Sequence, residues 1–358
     1  MRRVKISSLR PGMKLAYNIY NSRDEELLAA GVVLTGTYIK KLAGQDLSYV
    51  WVDDGVQSGA PVSVKDVVAQ ETRIAAIRQV KNILLETKES GRLVIEPQSL
   101  YFTVSDFTDQ LLSKDDLLFN MVDLRLQDDY TFAHSVNVCI LALMTGITLG
   151  YSRGELAVLG MGALLHDLGK IKVPDEILIK PGSLTEKEWV MMKRHTVEGY
   201  WLIHDAGNIG ELQAIIALQH HENYDGSGYP LGLKGDKIHE YAQVVAIADK
   251  FDAITADRVY RKAFPPHEAY EMCSASGNYF FKEHIAKAFM YNIAAYPAGT
   301  IVELNNGMVA VSVDTQKGYS LFPRVRVLYD ENHRPAPDQF ELPLFKKPEL
   351  SVVKVLKR

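Results

Sequence analysis

Seven residues in the middle of this chain carry side chains suited to ligating a metal ion: His134, His166, Asp167, His195, His220, His221 and Asp249. Ten histidines in 358 residues is an ordinary number, so the setting carries the information. His134 sits early in the run Tyr-Thr-Phe-Ala-His-Ser-Val-Asn-Val. His166-Asp167 closes Gly162-Ala-Leu-Leu, His220-His221 ends Ile215-Ile216-Ala217-Leu218, and Asp249 lies inside Val245-Ala-Ile-Ala-Asp-Lys-Phe-Asp. A polar group on an apolar face needs a partner. A divalent cation satisfies several imidazoles and carboxylates together. The competing reading is a set of unrelated core histidines, each bonded to a backbone carbonyl; two aspartates in similar settings weigh against it. The set contains no cysteine, which argues against an iron-sulfur or zinc-thiolate site. His204, His239, His267 and His284 lack matching settings and read as surface or structural groups.

The elements that position these groups are helical. From about Pro97 to Tyr296 nearly every apolar pattern has helical period, as in Val136-Ile140-Leu143, Leu156-Leu159-Ala163 and Val244-Ile247-Phe251. The fold class expected is mainly α, a multi-helix domain at 97–297 flanked by two small modules. Residues 1–60 read as an α+β module, with short strands at Met13–Tyr20, Glu26–Leu34 and Leu47–Val52 and a helix at Thr35–Leu42. Ser58–Pro61 reads as a linker. Residues 61–96 read as a helical connector in which Val67, Ile74, Ile77, Leu84 and Leu85 repeat at helix spacing up to a stop at Gly91. Residues 298–358 read as a β module. Thr300–Leu304, Met308–Val313 and Arg324–Tyr329 alternate like strands, and Asn305-Asn306-Gly307 signals a hairpin.

Composition sets outer bounds. The formal charge of −4 argues against binding a nucleic acid polymer but leaves room for a small anion at a local cluster of cations. The two cysteines, Cys139 and Cys273, lie in apolar helical surroundings and read as buried reduced thiols, consistent with a cytoplasmic setting. The most apolar stretch, Val136–Leu149, falls short of the roughly 20 residues a membrane span needs.

Five motifs, in order, carry a family resemblance: His166-Asp167-Leu-Gly-Lys170, His195-Thr-Val-Glu-Gly199, His220-His-Glu-Asn-Tyr-Asp-Gly-Ser-Gly-Tyr-Pro230, Ala248-Asp249-Lys-Phe-Asp-Ala-Ile-Thr255 and Asp257-Arg-Val-Tyr-Arg261. Together they resemble the HD-GYP phosphodiesterases, a branch of the HD metal-dependent phosphohydrolases, over roughly residues 100–297. The resemblance implies hydrolysis of cyclic di-GMP to the linear dinucleotide pGpG, to GMP, or to both, in bacterial second-messenger signalling. It implies two divalent transition-metal ions: iron, manganese, zinc, nickel or cobalt. One would be held by His134, His166, Asp167 and Asp249, the other by Asp167, His195, His220 and His221, with a water between them as nucleophile. Asp167, having two oxygens and lying beside His166, is the natural bridge. Lys170 would stabilise the phosphate or the leaving oxygen. Arg258 and Arg261, three apart, would share a helical face and grip the dinucleotide.

The loop 225–230 would shape the pocket through Tyr229 and receive a signalling partner domain; a homodimer is a further expectation. Asp225 would orient a histidine. Lys250, next to Asp249, would point elsewhere. The chain departs from the family pattern at Tyr130, where a glutamate for a third metal would stand, and Asp128 and Asp129 are out of phase with His134. It departs again at Phe280-Phe281-Lys282, where Phe-Asp-Pro is usual, which puts the cap of the next helix in doubt, and at Val259. Two other readings compete. One is a non-catalytic cyclic-dinucleotide sensor, which would be expected to have lost ligands. The other is a phosphohydrolase acting on a different cyclic dinucleotide or nucleotide.

Overall fold

In the computed structural model, residues 2–16, 18–20, 26–44, 49–53, 66–114, 118–119, 130–256, 263–336 and 340–356 are described. The N-terminal module contains β1 (Arg2–Lys5), β2 (Lys14–Leu15), β3 (Ile19–Tyr20), β4 (Glu26–Leu28), α1 (Gly36–Ala43) and β5 (Tyr49–Asp53). Its main sheet is antiparallel in the order β1-β5-β2. Strand β1 had no counterpart in the sequence reading, and the two long strands expected over 13–34 are three short ones. Helix α1 starts where expected, with the Thr35 hydroxyl accepting the Tyr38 N–H. The expected linker at 58–61 lies outside the described residues.

The helical region follows: α2 (Gln70–Ser90), α3 (Pro97–Ser113), α4 (Tyr130–Thr148), α5 (Arg153–Leu165), α6 (Asp175–Leu178), α7 (Glu186–Lys193), α8 (His195–Ala206), α9 (Glu211–Gln219), α10 (Glu240–Thr255), α11 (Pro266–Ser274) and α12 (Glu283–Met290). Helix α2 ends at Gly91, as read, in the left-handed conformation. It begins only at Gln70, so Val67 precedes it, and Leu85 faces solvent. Ala76, Val80, Ile83 and Leu84 of α2 share one apolar core with Val104 and Phe107 of α3, Ile140 and Leu143 of α4, and Phe251 of α10. Each large side chain buried there is worth about 1.5–3 kcal/mol. Cys139 and Cys273 are buried free thiols, and burial pushes Cys273 up to about 12. Among the described residues, no helix is long and apolar enough to cross a membrane.

The C-terminal strands β6 (Ile301–Leu304), β7 (Val309–Asp314), β8 (Arg324–Tyr329), β9 (Glu341–Pro343) and β10 (Val352–Val355) form an antiparallel sheet in the order β10-β6-β7-β8-β9. The Asn305–Gly307 hairpin closes through Gly307 N–H to Leu304 O at 2.9 Å. Strands β9 and β10 escaped the sequence reading. The β module is tied to the end of α12 and the segment after it: the Ser320 hydroxyl donates to Met290 O and the Ser312 hydroxyl to Tyr296 O, both at 2.8 Å. The observed architecture is mainly α with a five-stranded C-terminal sheet.

Candidate metal centre

Three helix ends and two helix interiors converge on one point. Helix α5, started by a Ser152/Glu155 capping box, ends at His166, and Asp167 follows as the chain tightens into a 3₁₀ turn, Leu168–Lys172. Helix α8 begins at His195, and α9 ends at His220 with His221 next. His134 lies inside α4 and Asp249 inside α10. The packing is close: a Cβ added at Gly169 would run into the backbone oxygen of His195, so the 3₁₀ turn fits against α8 only with glycine there.

Two ligand groups result, and they share Asp167. One is Asp167, His195, His220 and His221; the other is His134, His166 and Asp167. His195 Nε2 and His220 Nε2 lie 3.5 and 3.8 Å from Asp167 Oδ1, and His166 Nε2 and His134 Nε2 lie 3.4 and 3.8 Å from Oδ2. Asp249 spans both groups, with Oδ1 3.1 Å from His134 Nε2 and Oδ2 3.7 Å from His221 Nδ1.

The other ring nitrogen fixes each tautomer. Nδ1 of His166, His195 and His220 donates to the carbonyls of Ala163, Met192 and Ala217 at 2.7, 2.7 and 2.8 Å, each three residues earlier. These carbonyls belong to the last turns of α5, α7 and α9, where a helix runs out of its own donors. A carbonyl only accepts, so Nδ1 carries the proton and Nε2 presents its lone pair to the centre. His134, inside a helix, pairs instead through Nδ1 with Asp252 Oδ2 at 2.7 Å, while Asn137 donates to Asp252 Oδ1 at 3.0 Å.

Electrostatics follow that division. Burial drives His195 down to about 4 and holds His220 and His221 below the ordinary imidazole value. Burial also disfavours charge on His134, but hydrogen bonds to Asp249 and Asp252 outweigh it and raise the ring to about 9. Asp167 and Asp249 resist the same burial: Lys170 and His166 hold the first ionised, and His134 the second. The lowered imidazoles of His195, His220 and His221 and the ionised carboxylates are in the protonation states a divalent cation requires, while His134 would give up a proton to take one. A fit to such an ion rests on a sharper observation. His166 Nε2 and Asp167 Oδ1 are buried and have no hydrogen-bond partner among the described residues. Each orphaned group costs about 1–3 kcal/mol, and a cation between them removes that cost. The residues present therefore fit divalent metal.

Lys170 Nζ lies 2.5 Å from Asp167 Oδ2. The Tyr229 ring lies 4.8 Å from that of His221. Its loop is held by Glu222, a buried carboxylate that accepts the N–H groups of Leu231 at 2.7 Å and Leu233 at 2.9 Å. At Gly228 a Cβ would strike the Asn223 nitrogen, which accounts for glycine in that turn. Asp225 does not reach a histidine; it accepts from Ser227 N and Oγ at 2.9 and 2.7 Å. The carboxylate that orients a ring is Asp252, which sequence reasoning missed. Its i+3 spacing from Asp249 was the available signal, since that spacing puts both on one helical face. Lys250 sits over the Phe280 ring at 4.9 Å. The Phe280–Lys282 departure is compensated: Asn278 Oδ1 accepts the Glu283 N–H at 3.0 Å and caps α12 from outside. His204 stacks on Tyr200, His239 caps α10, His267 stacks on Tyr296 and His284 lies 3.7 Å from Glu240. Arg258, Arg261, Val259, Asp128 and Asp129 lie outside the described residues, as does the Tyr130 side chain.

Residues 116–281 match the HD domain family, and residues 301–358 match the KOW domain associated with HD domain. A cyclic di-GMP phosphodiesterase of Pseudomonas aeruginosa is 35% identical over 237 residues, 66% of this chain and 57% of that protein. The 3'3'-cGAMP-specific phosphodiesterase 1 of Vibrio cholerae is 34% identical over 175 residues, covering 48% of this chain and 39% of that one. This chain thus spans about half the length, or less, of these two relatives. The solved structure of an HDG"Y"P protein from Bdellovibrio bacteriovorus superposes with a TM-score of 0.50 at 17% identity, covering 81% of this chain and 98% of that one, a likeness of fold. The chain belongs to the HD-domain family. Within it, the His166-Asp167 pair and the Gly228-Tyr229-Pro230 loop mark the HD-GYP branch, here followed by a KOW module.

Proposed function

We propose that this protein is a metal-dependent phosphodiesterase acting on a cyclic dinucleotide, with cyclic di-GMP as substrate and pGpG, GMP or both as product. The observation that carries the reading is the pair of orphaned buried atoms, His166 Nε2 and Asp167 Oδ1, inside two ligand groups joined by one carboxylate. That sharing supports two ions: one on His134, His166, Asp167 and Asp249, the other on Asp167, His195, His220 and His221. When bound, such ions supply Lewis acidity towards the phosphoryl oxygens and a deprotonated water at neutral pH. The chain's own groups do the rest. Lys170 brings a positive charge beside Asp167, where a phosphate or leaving oxygen would develop negative charge. Tyr229 walls the site on the His221 side. Arg258 and Arg261 are proposed to grip the cyclic dinucleotide. The N-terminal module is proposed as a regulatory or dimerisation unit, and the loop at 225–230 as a contact for a partner domain.

The test is hydrolysis of cyclic di-GMP by the purified protein with Mn²⁺ or Fe²⁺, beside Asp167→Ala. Equal rates refute the metal mechanism, and three strong anomalous peaks in a metal-soaked crystal refute the count of two. Tight binding without turnover by metal-replete protein selects the sensor reading. A second substrate has support from the relative named for 3'3'-cGAMP. Faster cleavage of 3'3'-cGAMP than of cyclic di-GMP would establish it.

A further inference from the structure

Helix α7 is unusual for its place. It has no buried residue, yet it presents Trp189, Val190 and Met191, each more than two-fifths exposed. An eight-residue helix with no fully buried residue is secured near its N-terminus. Thr185 and Glu188 form a capping box, and Lys180 pairs with Glu188 at 2.6 Å. An apolar surface kept at this density beside a metal centre calls for an occupant.

Trp189 is the member of that surface turned towards the centre. Its indole meets the Tyr229 ring edge-on at 6.1 Å, and Tyr229 in turn faces His221. Lys193, four residues on and so on the same helical face, places Nζ 5.6 Å from the centre of the Tyr229 ring. The ligand groups, Tyr229, Trp189 and Lys193 thus form a continuous line from the phosphate chemistry to an exposed aromatic face with a cation beside it.

Resting on the phosphodiesterase reading above, we propose that Trp189 and Lys193 form, with Tyr229, the seat for one purine base of the cyclic dinucleotide and give it a preference for guanine. Every base has a π-face, so an exposed indole binds bases without selecting among them. Selection comes from Lys193. An ammonium is a donor only, and guanine offers two acceptors, O6 and N7, on one edge. Adenine places an amino donor at the matching position and repels it.

The experiment compares wild type, Trp189→Ala, Trp189→Phe and Lys193→Met as manganese-loaded full chains, with cyclic di-GMP and cyclic di-AMP. Metal content and thermal midpoint are measured for each, so that a folding defect is seen directly. Trp189→Ala is expected to raise KM for cyclic di-GMP about tenfold or more with kcat little changed, and Trp189→Phe to restore most of the loss. Lys193→Met is expected to shrink the ratio of kcat/KM between cyclic di-GMP and cyclic di-AMP at least several-fold. In a Trp51→Phe/Trp201→Phe background, cyclic di-GMP is expected to quench the remaining indole. If wild type cleaves cyclic di-GMP, unchanged KM in Trp189→Ala and no quenching overturn the seat and leave the function standing. If metal-loaded wild type cleaves methyl p-nitrophenyl phosphate but neither cleaves nor binds cyclic di-GMP, the substrate reading falls and the seat with it.

Discussion

The two halves of the centre hold their histidines by different means. In the Asp167/His195/His220/His221 group, His195 and His220 lean on backbone carbonyls at helix ends; in the His134/His166/Asp167 group His166 does the same, but His134, inside α4, leans on the carboxylate of Asp252. A carbonyl fixes a tautomer without adding net charge, so burial governs and His195 falls to about 4. Carboxylates add charge, Asp249 more than Asp252, so His134 rises to about 9 although it is buried much as His195 is. The first half is ready for a cation at neutral pH. The second exchanges a proton for one.

The largest expected effect treats the halves alike. His195→Ala and His134→Ala each remove a proposed ligand, and on the proposed function each is expected to lower turnover of cyclic di-GMP by about 10³-fold, several kcal/mol of lost charge stabilisation. Elemental analysis is expected to find about one equivalent of metal fewer in each. A variant retaining the wild-type metal content and full rate would break the proposed assignment of its half. Next comes the asymmetry itself. Asp252→Asn is expected to weaken metal binding by about 10–100-fold, while Met192→Leu, which keeps the carbonyl under His195, leaves affinity unchanged. Competition with a metallochromic chelator reads both, and equal losses would erase the distinction.

A smaller effect tests the carbonyl-held half through packing. Gly169→Ala is expected to cost about 1–3 kcal/mol or more in chemical denaturation, because the new Cβ meets the His195 backbone. Normal stability would mean that α8 moves away at no cost.

The smallest effect is on pH dependence after chelation. Both rings return to about 6.5 on unfolding. As pH falls from 6.5 towards 4, the unfolded chain protonates His195 before the folded protein does, and stability is lost. As pH rises from 6.5 towards 9, folded His134 gives up the proton that its carboxylates stabilise, and stability is lost again. The metal-free protein is therefore expected to melt highest near pH 6.5, and Asp252→Asn to flatten the alkaline side. A steady climb in melting temperature across pH 5–9 would contradict this.

The motifs made much of this arrangement legible in advance. His166-Asp167 and His220-His221 are contiguous in sequence, and helical periodicity around them is strong, so their meeting in a helical domain could be read. What holds them was not legible. The competing reading of carbonyl-bonded core histidines was half right: the carbonyls take Nδ1 and leave Nε2 for the centre. Asp252 stands in the same motif as Asp249, yet the sequence points to Asp225 as the orienting carboxylate, because which carboxylate meets a ring depends on how α4 crosses α10. The short charged strand β1 and the late strands β9 and β10 were missed for a related reason. Their pairing partners, not their own alternation, make them strands.

Glu222 also constrains how this chain can change length. Its two carboxylate oxygens are committed to backbone groups nine and eleven residues downstream, and Tyr229 N–H is bonded to His221 O at 3.1 Å. The segment between is a measured span. Adding or deleting one residue between Asn223 and Pro230 shifts Tyr229 out of register with His221, so outside its glycines this stretch tolerates changes of side chain far better than changes of count.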